Sequence, residues 1–136
     1  KIILLMLRLV IVNTNRLARY DYGSTIAFKL YNEDLTAFDA SGYTGVLKTF
    51  KRHGDRAFFF RDVERALTVV GTLAQVIGDI TVSWTTQASG EGTFAYTSTE
   101  RPSITGYQWM EVQLTKSGEQ LSSDLVRVYI QPSEAA

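Results

Sequence analysis

An all-β antiparallel sandwich with an extra apolar N-terminal strand or arm is the fold this sequence predicts, on three observations. Apolar residues recur with period two in several short segments. Those segments are separated by turn-forming Gly, Asn, Asp and Ser, and no βαβ rhythm or strong helix interrupts them. The 136 residues, 45% of them hydrophobic and 21% charged, are enough for one self-sufficient core.

The first element, Lys1 to Val12 (KIILLMLRLVIV), is the most apolar part of the chain. Twelve helical residues would rise only about 18 Å, short of a ~30 Å hydrocarbon core, and Arg8 interrupts the run. A signal-peptide core fits the length, but Asn13-Thr14-Asn15-Arg16 is a poor cleavage site. Read as a strand, it places Ile3, Leu5, Leu7, Leu9 and Ile11 on one side and Ile2, Leu4, Met6, Val10 and Val12 on the other. A two-layer domain offers a strand one inner face, so two apolar faces predict a subunit contact, assigned to Ile3, Leu5, Leu7, Leu9 and Ile11.

From residue 23 the strands follow one another. Thr25 to Tyr31 alternates Ile26, Phe28 and Leu30 after Asp21-Tyr22-Gly23-Ser24, and Asn32-Glu33-Asp34 is a hairpin tip. Thr44 to Phe50 is a second strand after Asp39-Ala-Ser-Gly42, and Ala57 to Arg61 a third after His53-Gly54-Asp55. Residues 62–77 mix a helical start with β-branched pairs and stay undecided between helix and strand. Ile80 to Thr86 (ITVSWTT) alternates most clearly, and residues 87–105 form a long link. Tyr107 to Thr115 is the next strand, and Lys116-Ser-Gly118-Glu119 turns the chain toward Asp124 to Ile130. The expected organisation is an arm over 1–22, a sandwich over 23–131 and a tail over 132–136.

Composition excludes several chemistries. Without cysteine there is no disulfide, thiolate nucleophile or cysteine zinc site, and His53 alone cannot build a multi-histidine metal centre. No serine lies in a nucleophile elbow that His53 could serve, so no catalytic residue is expected. Glu91, Glu100, Glu111 and Glu119 are conceivable glycosidase carboxylates, but acids on the solvent faces of strands are the ordinary case. Asn32-Glu33-Asp34 with Asp39 lacks the spacing of a calcium loop. No cofactor or metal is expected. Fourteen basic and fourteen acidic residues give no reason to expect nucleic acid or a membrane as partner. The acids in KTFKRHGDRAFFFRDVER make that basic stretch a solvated hairpin. Neutrality hides an asymmetry, with 11 basic against 7 acidic residues in 1–65 and 3 against 7 in 66–136. Kept apart in space, such halves would stack a basic face on an acidic one.

Exposed aromatics suggest an alternative function, a carbohydrate-binding module whose contacts would be Tyr96, Tyr107 and Trp109. Alternation sends Trp84 and one side of the Phe58–Phe60 run toward the core instead.

Residues 23–131 resemble the N-terminal domain of tailed-phage baseplate upper proteins and the related immunoglobulin-like domains of phage fibre proteins. The likeness lies in Thr25-Ile-Ala-Phe-Lys-Leu-Tyr31, Asn32-Glu-Asp34, and Asp39-Ala-Ser-Gly42 before Val46-Leu-Lys-Thr-Phe50. It continues in Gly78-Asp-Ile-Thr-Val-Ser-Trp84, Gly106-Tyr-Gln-Trp-Met-Glu111, and Lys116-Ser-Gly118 before Val126-Arg-Val-Tyr-Ile130. The long 87–105 link and the apolar start depart from the family's pattern. The resemblance implies an immunoglobulin-like sandwich in a non-enzymatic virion structural protein of baseplate, fibre-attachment or head-decoration type. It further implies a homo-oligomer, frequently a trimer, that binds other virion proteins.

Overall fold

Apolar side chains on alternate positions, each needing a dry face, build two antiparallel sheets in the computed structural model, which describes residues 7–13, 17–53 and 72–132. The first sheet has the order β1 (Arg8–Ile11), β2 (Thr25–Tyr31), β7 (Glu91–Ala95), β6 (Ser83–Thr86). The second has the order β10 (Val126–Ile130), β8 (Gly106–Lys116), β3 (Thr44–His53), β4 (Thr72–Gln75). Two short strands lie off this path: β5 (Ile80–Thr81) pairs β3, and β9 (Glu119–Ser122) pairs β8.

The inner faces of both sheets supply one core. Ile26, Phe28 and Leu30 of β2 and Phe94 of β7 come from the first sheet, and Leu47, Met110, Val112, Leu114, Val128 and Ile130 from the second. Phe28 sits at its centre, edge-on to Trp84 at 5.8 Å and tilted against Phe94 at 6.5 Å. Each such side chain contributes about 1.5–3 kcal/mol by leaving water. Gly92 makes this packing possible, because a Cβ there would lie 2.7 Å from both the Phe28 ring and the Ser83 carbonyl oxygen.

The apolar arm belongs to this core. Strand β1 pairs β2 from Arg8↔Tyr31 to Ile11↔Phe28, and Leu7, Leu9 and Ile11 are buried in the chain's own interior. Three of the five residues assigned to a subunit contact therefore face inward, and Ile3 and Leu5 lie outside the described residues. One inner face per sheet is the right rule, but the face it selects is this one; Val10 and Val12 are what β1 leaves exposed. Further on, Leu17 is fully buried, Ala18 bridges Gln131 in parallel, and Gln131 N donates to Leu17 O. The segment before residue 23 is thus hydrogen-bonded to both sheets.

Three other expectations change. The segment Ile80 to Thr86 is two strands, because the chain changes sheet at Val82, whose N–H donates to Gly45 O and whose side chain is buried. The 87–105 link contains β7, whose alternation is carried inward by Gly92 and Phe94 and was hidden by its Gly and Glu content. The halves of opposite charge do not stay apart: strands from each half pair in both sheets, and Lys29–Glu91 (3.2 Å) and Lys48–Asp79 (3.0 Å) join them. The third expected strand, Ala57 to Arg61, lies outside the described residues; of the undecided 62–77, Thr72–Gln75 is strand.

Candidate interaction surface

Strand polarity gives the body two ends. At one, β2 turns through Asn32–Leu35 and runs to β3, Gly90 closes the turn before β7, and the β8–β9 hairpin turns at residues 117–118. This end is knitted across the sheets: Gln87 Nε2 donates to Ala40 O (2.8 Å) and Tyr43 O (2.9 Å), and Trp84 Nε1 donates to Tyr43 O. At the other end, the 17–23 segment meets the end of β10 and the 96–105 link, through Arg19 N donating to Gln131 O, Tyr20 N to Pro102 O and Gly23 N to Tyr96 O.

The first end has more acids than bases, Glu33, Asp34, Asp39 and Glu119 against Arg8 and Lys116. Asp34 Oδ1 accepts from Thr36 N (3.1 Å) and Thr36 Oγ1 (2.6 Å), and Asp39 Oδ1 accepts from Ser41 N (3.0 Å) and Ser41 Oγ (2.6 Å). In both, the hydroxyl is the larger cause and the amide the next, and together they hold the carboxyl below its ordinary value. These local turns use the acids structurally, and no group of three or more His, Cys, Asp or Glu that could hold a metal ion occurs among the described residues. Leu35, in the same turn, is 66% exposed with φ 71°. Behind it, Tyr43 OH donates to Glu119 Oε2, and Lys116 Nζ lies 4.4 Å from the Tyr43 ring centre.

The opposite end is rich in tyrosine and arginine. Exposed Tyr20 and Tyr22 share the Arg101 guanidinium, 5.9 and 5.0 Å from their ring centres, and Arg19 lies 5.1 Å from the Tyr20 ring. Arg101 Nη1 also donates to Tyr20 O, holding a backbone with φ 69°. One row along the second sheet, Tyr107 and Tyr129 are cross-strand partners, 54% and 47% exposed, ring edge to ring face at 5.2 Å. Arg127 sits 4.3 Å over the Tyr107 ring.

The outer face of β8 continues past Tyr107 with half-buried Trp109 and Glu111. Burial pushes the Glu111 carboxyl above its ordinary value, and Lys48 pulls the other way. Lys48, its cross-strand neighbour, is bonded instead to Asp79, whose carboxyl is lowered first by Gln75 and then by Lys48.

Of the three residues suggested for glycan contact, Tyr107 is exposed, Trp109 is half-buried beside it, and Tyr96 is not on the surface. Tyr96 is 3% exposed, packed edge-on to Phe94 at 5.8 Å, with its hydroxyl lacking a hydrogen-bond partner and its pKa raised by burial. It follows Phe94 in the alternation and so points inward. Tyr129 and Arg127 were missed although alternation with Val126, Val128 and Ile130 exposes them; Tyr20, Tyr22 and Arg101 carried no local signal, since 81 residues separate Tyr20 from Arg101. No protein-family model, no curated protein and no solved structure matches the chain.

Proposed function

We propose that the chain is an immunoglobulin-like β-sandwich that works without catalysis, as a contact module assembling with copies of itself or with other proteins. The immunoglobulin-like reading is supported by strand order. With β1, β2, β3, β4, β6, β7, β8 and β10 taken as A, B, C, C′, D, E, F and G, the sheets are A-B-E-D and G-F-C-C′. The disulfide that joins B and F in antibody domains has no counterpart in a chain without cysteine, and Phe28 and Met110 fill the core from those strands.

The observation that carries the function is the pairing of exposed tyrosines with arginines, Tyr20 and Tyr22 with Arg101 and Tyr107 with Arg127. Tyrosine and arginine dominate the energetics of protein interfaces, and a guanidinium already stacked on a ring loses less freedom when a partner arrives. The virion setting rests on the resemblance of residues 23–131 to phage structural domains. Mass spectrometry of purified particles tests it: the chain should be present in fixed stoichiometry with other virion proteins, and its absence from every particle fraction removes that setting. Sedimentation velocity of the isolated chain tests assembly, with concentration-dependent oligomers expected.

Carbohydrate binding is a second reading, favoured by the exposure of the paired Tyr107 and Tyr129 on the outer face of the second sheet. It requires glycan-array binding that Tyr107→Ala abolishes; no binding to any glycan ends it.

A further inference from the structure

We infer that copies of this chain associate head to tail, the acidic Leu35 tip of one seated on the tyrosine–arginine end of the next. The inference rests on the assembly reading above and names the partner as a second copy.

Charge complementarity argues for that partner. The tip and the loop behind it, residues 32–43, carry Glu33, Asp34 and Asp39 and no lysine or arginine; with Glu119 and Asp124 they outnumber the two cations that stand at this end, Arg8 beside Leu35 and Lys116 near Asp39. The bonds within the tip all fall on Oδ1 of the two aspartates, leaving each a second oxygen to accept from a partner. At the receiving end, Arg19, Arg101 and Arg127 stack on tyrosine rings, and the ion pairs of the described residues, Lys29–Glu91 and Lys48–Asp79, involve none of them. Asp21 in the same segment offsets one of these charges, and the Glu100 carboxylate is engaged by Gly78 N. Stacking leaves the in-plane N–H groups for carboxylates, apart from Arg101 Nη1, which donates to Tyr20 O, and the buried Arg19 Nε, while the tyrosine rings offer apolar area.

Shape agrees with charge. Leu35 is exposed at the tip, next in sequence to Glu33 and Asp34 and sharing a shallow pocket with Arg8 and Asp124, and at the other end the exposed Tyr20 and Tyr22 rings flank Arg101. Because tip and rings lie at opposite ends of one body, the contact is heterologous. It propagates into filaments or closes into rings, rather than ending at a two-fold dimer.

Charge reversal on the full chain tests this by sedimentation velocity at low and high salt, each variant first checked by its melting temperature. Glu33→Lys and Arg101→Glu should each weaken self-association at least tenfold. Mixing these two single variants should restore assembly with the two chains alternating, because each variant's tip is matched by the other's receiving end. The chain carrying both reversals should recover self-association, and salt should weaken every assembly. Glu33 makes no hydrogen bond among the described residues, so its reversal leaves the turn's own bonds in place. Oligomers indifferent to either reversal overturn the head-to-tail contact and leave the assembly reading standing. A monomer up to the solubility limit overturns self-assembly altogether and leaves only the contact with other proteins.

Discussion

Asp124 Oδ1 accepts the backbone N–H of Leu9 at 2.9 Å, closing a contact between residues 115 apart in sequence. The same residue's N–H donates to Leu7 O at 2.8 Å, so one aspartate holds the edge of β1 by both its main chain and its side chain. It can do so because β9 and β10, which both pair β8, are interrupted between Ser122 and Val126. An edge strand otherwise presents unpaired N–H groups to other chains. Asp124→Ala should cost about 1–2 kcal/mol by orphaning a partly buried donor. Amide exchange at Leu9 should quicken, and unchanged protection there would show that the edge does not depend on this carboxylate.

Because Leu7, Leu9 and Ile11 pack inside, removing the arm should not release a folded remainder. Deleting residues 1–12 removes three core side chains, each worth about 1.5–3 kcal/mol of burial, a large share of an ordinary domain's 5–15 kcal/mol. Circular dichroism should show loss of cooperative melting. A truncated chain that melts as the full chain does would return the arm to the role of a detachable contact.

Gly92→Ala should destabilise by about 1–3 kcal/mol, since its Cβ would meet the Ser83 carbonyl oxygen at 2.7 Å and backbone cannot rotate away. Pairing it with Phe28→Leu relieves the ring contact but not the carbonyl one, so in thermal melts the double variant should lose less than the two single variants summed, with part of the Gly92→Ala cost remaining. Full rescue would assign the whole cost to the ring.

Burial raises the Glu111 carboxyl above 4.5, its ordinary value, with Lys48 opposing. A carboxyl raised on folding makes the protein gain stability as pH falls through the folded value, and the gain is complete below the unfolded one. Glu111→Gln should therefore raise the melting temperature near pH 7 and make no difference below about pH 4. A stabilisation that persists in acid would point to packing instead of charge.

The opposite sign applies at Asp39. The Ser41 hydroxyl, and after it the Ser41 amide, hold the carboxyl below 3.8, so its contribution is present above that value and lost as pH falls through the folded one. Carboxyl chemical shifts should titrate below 3.8, and Ser41→Ala should move the midpoint upward without reaching 3.8, because the amide remains. An unmoved midpoint would transfer the cause to the amide alone.

What the chain determined by itself is the set of strands whose alternation is strong: TIAFKLY, TGVLKTF, YQWMEVQLT and VRVYI each turn every second residue inward, only Val126 of these staying half-buried, as a pleated strand must against one dry face. The absence of cysteine and the single histidine settled the chemistry that cannot be built without them, because no folding adds a thiolate or a second imidazole. Tertiary structure alone decided which of two equally apolar faces of β1 is the inner one, since Leu9 and Val10 differ only in where β2 places them. It decided that the chain changes sheets at Val82, where a bare Gly45 lets a valine side chain approach. It also brought Arg101 to Tyr20 and Arg127 to Tyr107, because a stack of ring and guanidinium depends on distance in space, which neighbours along the chain do not reveal.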